Sequence, residues 1–247
     1  VKEMRKSDYR KLGGIVILLV LWWLLAYALN RHFLFPSPFA VGKVMLCQLQ
    51  NTAFYQAIIM TLSRCVIGFV ISYGTALVLA LVTGHMKWLR DYLAPLITLL
   101  KSVPNISFIL LILIWFNREI SVMIIVFFVL FPSFYSSFTN GFDAIDQSLR
   151  EVMILYPQSL WRQIVKVELP LLKPYLAASY ESGIGLAFKV GVMAEILGQV
   201  PDGIGKKLQW SYLNIEMAEV FAWTIWLIIL LVLLEHGLRL LWKKRKE

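Results

Sequence analysis

The chain has 247 residues, 59% of them hydrophobic and 16% charged, with a net charge of +9 and a mean hydropathy of +0.71. Soluble domains are about a quarter charged. A chain this apolar has too little polar surface to cover itself in water. Composition therefore excludes a soluble enzyme and a disordered chain, and predicts an integral membrane protein. The positive balance does not point to nucleic acid, because Lys and Arg gather at the ends and in short loops, as on the cytoplasmic flanks of membrane spans. Cys47 and Cys65 read as unpaired thiols, and His32, His85 and His236 are scattered, so nothing has metal-ligand spacing.

In chain order, six apolar runs are long enough to cross a bilayer, which takes about 17 to 25 residues. The first, residues 13–30, follows a basic segment. It reads as a retained span, because Arg31, His32, Phe33 and Leu34 offer no small-residue cleavage site. Trp22 and Trp23 lie mid-span and are expected to pack against a neighbour. An external loop, 35–54, leads to a second run, 57–84, which is long enough to tilt and contains Arg64. After a short turn at 85–91 comes the third, 92–116, interrupted by Pro95 and Pro104. Lys101 there either snorkels to the cytoplasmic boundary or faces a cavity opened by the Pro104 break. The fourth run is 120–140, the fifth 174–197 and the sixth 218–242, where Arg239 is expected to snorkel with the terminal basic residues. Without water each backbone N–H must bond within its own segment, so these runs should be helices. They are too long and too evenly apolar for barrel strands.

With the N-terminus in the cytoplasm, 15 of the 24 Lys and Arg fall inside, five outside and four within spans. That bias, and an even number of spans, predicts both termini in the cytoplasm.

The long cytoplasmic connection, 142–173, carries the most local information. Asp146 fits an N-cap, and Leu149, Val152, Met153 and Tyr156 recur at helical spacing. Pro157 then breaks the helix. Ser159 fits a second cap, with Leu160, Trp161, Ile164 and Val165 as the apolar side, and Pro170 suits the first turn of the next helix. An apolar helix face with no bilayer beside it wants a protein groove or the membrane surface. In the fifth run, Glu181, Lys189 and Glu195 fit one arc of about 120° at about 100° per residue. Gly183, Gly185 and Gly191 would allow close helix approach. This face, with Val192 and with Pro104 from the third run, reads as a pathway or dimer seam, or else as internal ion pairs that fix packing.

The connection resembles the EAA loop of ABC-importer permease subunits, whose pattern is E-A-A, three residues, G, nine residues, I-x-L-P. Glu151, Val152 and Met153 stand at E-A-A, Pro157 at the glycine, and Val167, Leu169 and Pro170 at I, L and P. The spacing is intact. The departures are Val152 and Met153 for the alanines, Val167 for isoleucine, and Pro157 for a glycine that could take φ > 0. The segment KSVPNISFILLILIWF from Lys101 resembles the family's R-S-V-P segment. Ala194 to Gly198, with Gly203, Ile204 and Gly205, resembles its A-E-x-x-G and G-L-G end of the fifth span. The likeness runs from about residue 57 to the C-terminus and fits the nitrate, sulfonate and taurine branch best; riboflavin and thiamine-precursor importers share that branch.

The resemblance implies an all-α integral membrane protein with the six transmembrane helices of the type I importer permease fold and short cytoplasmic coupling helices. Residues 1–56 would form the N-terminal segment, first span and external loop, and 57–247 the permease core. It also implies two ATPase subunits, a second permease that is identical or homologous, an external solute-binding protein, surrounding membrane lipid, no nucleic acid, and residence in the bacterial inner membrane. No G-x-x-x-x-G-K-[ST] loop occurs. The chain would thus bind no cofactor and be no enzyme, with ATP and Mg on the partner ATPases. The coupling element would be residues 151–164: Glu151 as polar contact, Leu155, Tyr156, Leu160 and Trp161 as apolar anchors, Pro157 as the bend and Ile164 at its end. The competing classes are an intramembrane protease, for which no nucleophile and base stand in register, and a channel or secondary carrier not coupled to ATP.

Overall fold

In the computed structural model the backbone is described for residues 2–29 and 34–244, and side chains for 13–14, 16–29 and 34–237. The terminal basic residues that set the expected orientation, Arg31 and His32, and Arg239 with its expected snorkelling, lie outside the residues whose side chains are described. Among the described residues there is no strand. The helices are α1 (Lys2–Leu29), α2 (Pro38–Leu49), α3 (Thr52–His85), α4 (Lys87–Ser102), α5 (Asn105–Trp115), α6 (Arg118–Asp143), α7 (Gln147–Leu155) and α8 (Leu160–Gln163). A π turn (Ile164–Glu168) follows, then α9 (Leu169–Gly198), α10 (Ile204–Leu213) and α11 (Met217–Lys244).

Polar caps start several of these helices. The Asn51 side chain accepts from the Ala53 amide at 3.0 Å, Asn117 from the Ile120 amide at 3.0 Å, and Ser37 from the Ala40 amide at 3.3 Å. Each cap satisfies an amide that the first helical turn leaves without a partner.

Among the described residues three helices are long and apolar enough to cross a membrane: α3, α6 and the described part of α11, Met217–Gly237. The expected third span is not straight. Val103 and Pro104 are extended, the residue before a proline being steered away from helix, and α4 and α5 diverge by 97° at that break. Pro95, expected to interrupt as well, sits inside an unbroken α4. Counting the bent pair as one span gives four. The other two expected spans fall short of six by this measure for identifiable reasons. In α1 the described apolar stretch is Val16–Leu29, and α9, although 30 residues long, carries Glu181, Lys189 and Glu195.

The core lies where α3, α6 and α9 meet. Small residues bring them together: a Cβ on Gly68 would come within 2.8 Å of the Met123 carbonyl oxygen, and one on Gly191 within 2.3 Å of Cys65 Sγ. Between these close approaches sits an aromatic cluster of Phe69, Tyr73, Phe134, Phe138 and Tyr180, mostly edge to face at about 5 Å between centroids. The Tyr73 hydroxyl donates to the Leu176 carbonyl at 3.0 Å, so its half-buried polar tip is satisfied. A smaller cluster joins Phe54, Ala57, Ile204 and Trp223. Trp22 stacks on Phe221 and donates to the Pro36 carbonyl at 3.1 Å, whereas Trp23 stays exposed beside Tyr27.

Two helices fall where the sequence reading has loops. Helix α2 begins with Ser37 as cap and Pro38 in the first turn, and packs on α11. Helix α10 folds back over the end of α9 and over α3.

Candidate functional site

The connection between α6 and α9 forms an elbow at one end of the bundle. Asp146 and Ser159 stand at the N-cap positions of α7 and α8, as the spacing predicts, although neither side chain makes the capping bond. Tyr156 ends α7 with φ −118° and ψ 75°, and Pro157 begins the bend. No positive φ is used at the bend, so the proline at the glycine position fits this backbone. Ile154, Leu155, Tyr156, Leu160 and Trp161 are 65–78% exposed and form the elbow's apolar outer surface. Glu151 is exposed among them and accepts from the Gln147 side chain at 3.3 Å. Ile164 opens the π turn and is half-buried. A cavity of about 220 Å³ lies between the two arms, lined by Met153, Tyr156, Gln158, Arg162, Gln163, Lys166 and Val167.

The elbow does not hand over to a separate helix as the sequence suggests. Helix α8, the π turn and α9 form one continuous run, and the Leu169 amide donates to the Ile164 carbonyl in π register. Pro170, which has no N–H, sits just past this junction.

The elbow is tied to the bundle at three points. Arg150 donates to the Phe142 carbonyl. Arg90 pairs with Asp143 through two parallel bonds of 2.6 and 2.5 Å. His85, at the end of α3, places Nε2 3.1 Å from Glu168 Oε1 and Nδ1 2.9 Å from the Leu81 carbonyl. Because a carbonyl only accepts, Nδ1 donates there, and the Nε2–carboxylate contact needs a proton between the two groups. Gln163 also donates to Glu168 Oε1, at 2.9 Å, while the buried Oε2 has no partner among the described residues.

The residues expected to share one face of α9 are divided by the structure. Glu181 and Lys189 are exposed, and Pro104 is exposed at the α4–α5 break. Gly185 faces α11, where a Cβ would lie 3.5 Å from Glu235 Oε1. Val192 and Glu195 are buried within the chain itself. The arc of about 120° spans both fates because α3 and α10 cover its Glu195 edge and leave its Lys189 edge open. In this conformation Val192 and Glu195 are covered by this chain's own residues.

Glu195 anchors a buried polar network at the opposite end of the bundle. Its Oε1 accepts from Arg64 Nη1 at 2.7 Å, and its Oε2 accepts from the Thr61 hydroxyl at 2.8 Å and the Gly205 amide at 2.9 Å. Arg64 also donates to the Asp202 carbonyl at 2.7 Å and lies 3.5 Å from Glu119. Thr61 passes the chain on by accepting from the Ile204 amide at 2.8 Å. Gly203 takes φ +138°, and a Cβ there would strike the Glu195 carboxylate at 2.6 Å, so the turn into α10 requires glycine. A buried charge needs a partner and filled hydrogen bonds, and this pair has both. Sequence reasoning flagged Arg64 and Glu195 separately. The demand that a charge within an apolar run be paired is the signal that joins them; Gly205 was marked by the family-like motif, while Thr61 and Asp202 left none.

With this geometry in view, comparison with known proteins places the chain among transporters. The family described as "binding-protein-dependent transport system inner membrane component" matches residues 72–236. A protein of Bacillus subtilis named for transport of aliphatic sulfonates as a permease is 26% identical over 85% of this chain and 76% of its own. The riboflavin transport system permease of Chloroflexus aurantiacus is 25% identical over 83% and 78%. Among solved structures, that of a bacterial alginate ABC transporter in complex with an alginate-bound periplasmic protein superposes with a TM-score of 0.67 at 15% identity, covering 94% of this chain and 93% of the other. That likeness is one of fold.

Proposed function

The chain belongs to the family of binding-protein-dependent transport system inner membrane components and is an ABC transporter permease, and from that premise we propose a mechanism for its coupling. The α7–α8 elbow docks in a groove on a partner ATPase subunit. Leu155, Tyr156, Leu160 and Trp161 are the anchors, and Glu151 is the polar contact. The observation that carries this reading is the outward exposure of five large apolar residues at one bend, an arrangement water disfavours and a protein groove relieves. Closure of two ATPases on ATP and Mg pulls the elbow. Because α8 runs without interruption into α9, the pull moves α9 and the helices packed on it. The chain itself contributes no ATPase site.

In this reading α1, α3, the bent α4–α5 pair, α6, α9 and α11 make six crossings, with both termini and the elbow in the cytoplasm. Residues 57–247 form the core, and a second permease copy, identical or homologous, completes the pathway. An external binding protein delivers the solute, which is sulfonate-, taurine- or nitrate-like, or else riboflavin- or thiamine-precursor-like.

Charge reversal Glu151→Lys, and Trp161→Asp, are expected to reduce ATPase co-purification and uptake in reconstituted vesicles. Wild-type behaviour of both variants would overturn the docking assignment. Uptake that proceeds without ATP would favour a secondary carrier or channel.

A further inference from the structure

Where α4 breaks from α5 the structure holds a cavity of about 210 Å³ against α6 and α9. Its polar groups are Lys101, Asn105 and Ser133, and its apolar wall includes Phe108, Val129 and Leu186. The break itself makes this corner. Lys101 is on the last turn of α4 and Asn105 is the first residue of α5, and the 97° bend turns both toward one space.

The depth of the corner decides what it is. Val129 stands roughly 17 Å from one end of α6 and roughly 21 Å from the other at 1.5 Å per residue. In the six-crossing reading above, this places Lys101, which is exposed in the single chain, near mid-membrane and beyond the reach of snorkelling. It has no ion-pair partner among the described residues, and no acidic side chain lines the cavity. A second cation adjoins it, since Lys189 is exposed three residues beyond Leu186 and hence beside it on the surface of α9. An unpaired charge at such depth is costly unless it meets water or a counter-charge, and by default it marks a solute path. The first-turn amides of α5 add partial positive charge at the same corner.

We propose that this corner is an anion-recognition station on the translocation path, taking the oxyanion group of a small solute such as an alkanesulfonate or nitrate. Lys101 supplies the charge, and the Asn105 amide and Ser133 hydroxyl donate to the anion's oxygens. The volume agrees with a small solute, being below the roughly 300–1,000 Å³ of pockets that hold drug-sized ligands. The assignment rests on the importer reading above and narrows its two solute classes to the anionic one.

The test uses the complete transporter, with its ATPases and binding protein, in lipid vesicles, and compares ATP-driven uptake of butanesulfonate, nitrate and riboflavin. Uptake of at least one anion is expected. It should fall roughly ten- to a hundredfold in Lys101→Met, the worth of one charge-assisted hydrogen bond, and recover largely in Lys101→Arg, with ATPase co-purification unchanged. In Lys101→Cys, with Cys47→Ser to remove the exposed native thiol, a cationic thiol reagent should raise anion uptake and an anionic reagent of equal size should not. Anion uptake indifferent to the charge at position 101, or ATP-driven uptake of riboflavin and neither anion, would overturn the assignment alone. Uptake independent of ATP would overturn the importer reading and this assignment with it.

Discussion

The two ends of the helix bundle are built on opposite terms. Where α10 closes over α9, a carboxylate and a guanidinium are buried to 0% and 2% side-chain exposure, and each finds its partners inside the chain. At the elbow, Trp161 is 76% exposed and Leu155 73%, with no described residue covering them. One end is finished by intramolecular contacts, and the other presents apolar surface that no described residue covers. Stability should therefore reside at the first end and coupling at the second.

The largest effect that would break this contrast is at the buried pair. Glu195→Ala leaves buried Arg64 with only the longer contact to exposed Glu119 for a counter-charge and should lower stability by about 3–5 kcal/mol, read as thermal unfolding in detergent. Replacing both members with apolar residues, Arg64→Met with Glu195→Leu, should recover much of that loss. An unchanged melting transition in the single variant would show that the pair is not the anchor described. Next comes Trp161→Asp, with the reverse signature: melting within about 0.5 kcal/mol of wild type, but ATPase affinity weakened by about 2 kcal/mol or more, as for a central anchor. A large loss of melting stability there would erase the distinction between the ends. The smallest effect belongs to Arg90→Met. Its partner Asp143 is half exposed, so in spite of the bidentate geometry the loss should stay below about 1 kcal/mol.

The sequence announced the elbow more clearly than the buried network, and the reason is range. Pro157 acts on its neighbours, and Asp146 and Ser159 mark the helix starts by position though neither side chain caps, so the bend falls where local rules put it. Arg64 and Glu195 are 131 positions apart, and nothing local says that one meets the other. The division of the α9 face had the same origin: helical angles place Glu195 and Lys189 on one arc, but which edge is covered depends on where α10 folds. Helices α2 and α10 escaped notice because segments of 12 and 10 residues look like loops beside long apolar runs, although Ser37 followed by Pro38 was a readable start. The α4–α5 break was half visible, since Pro104 foretold an interruption but not a right-angled corner.

The π turn from Ile164 to Glu168 bears on how motion would leave the elbow. A π turn accommodates one residue more than an α-helix needs for the same stretch, so the junction carries slack. If those five residues rewound as ordinary helix, the side chains of α8 would swing by about 100° relative to α9. In the docking proposed above, this junction is the point of adjustment between elbow and membrane helix, and Gln163 and His85 both contact Glu168 at its end.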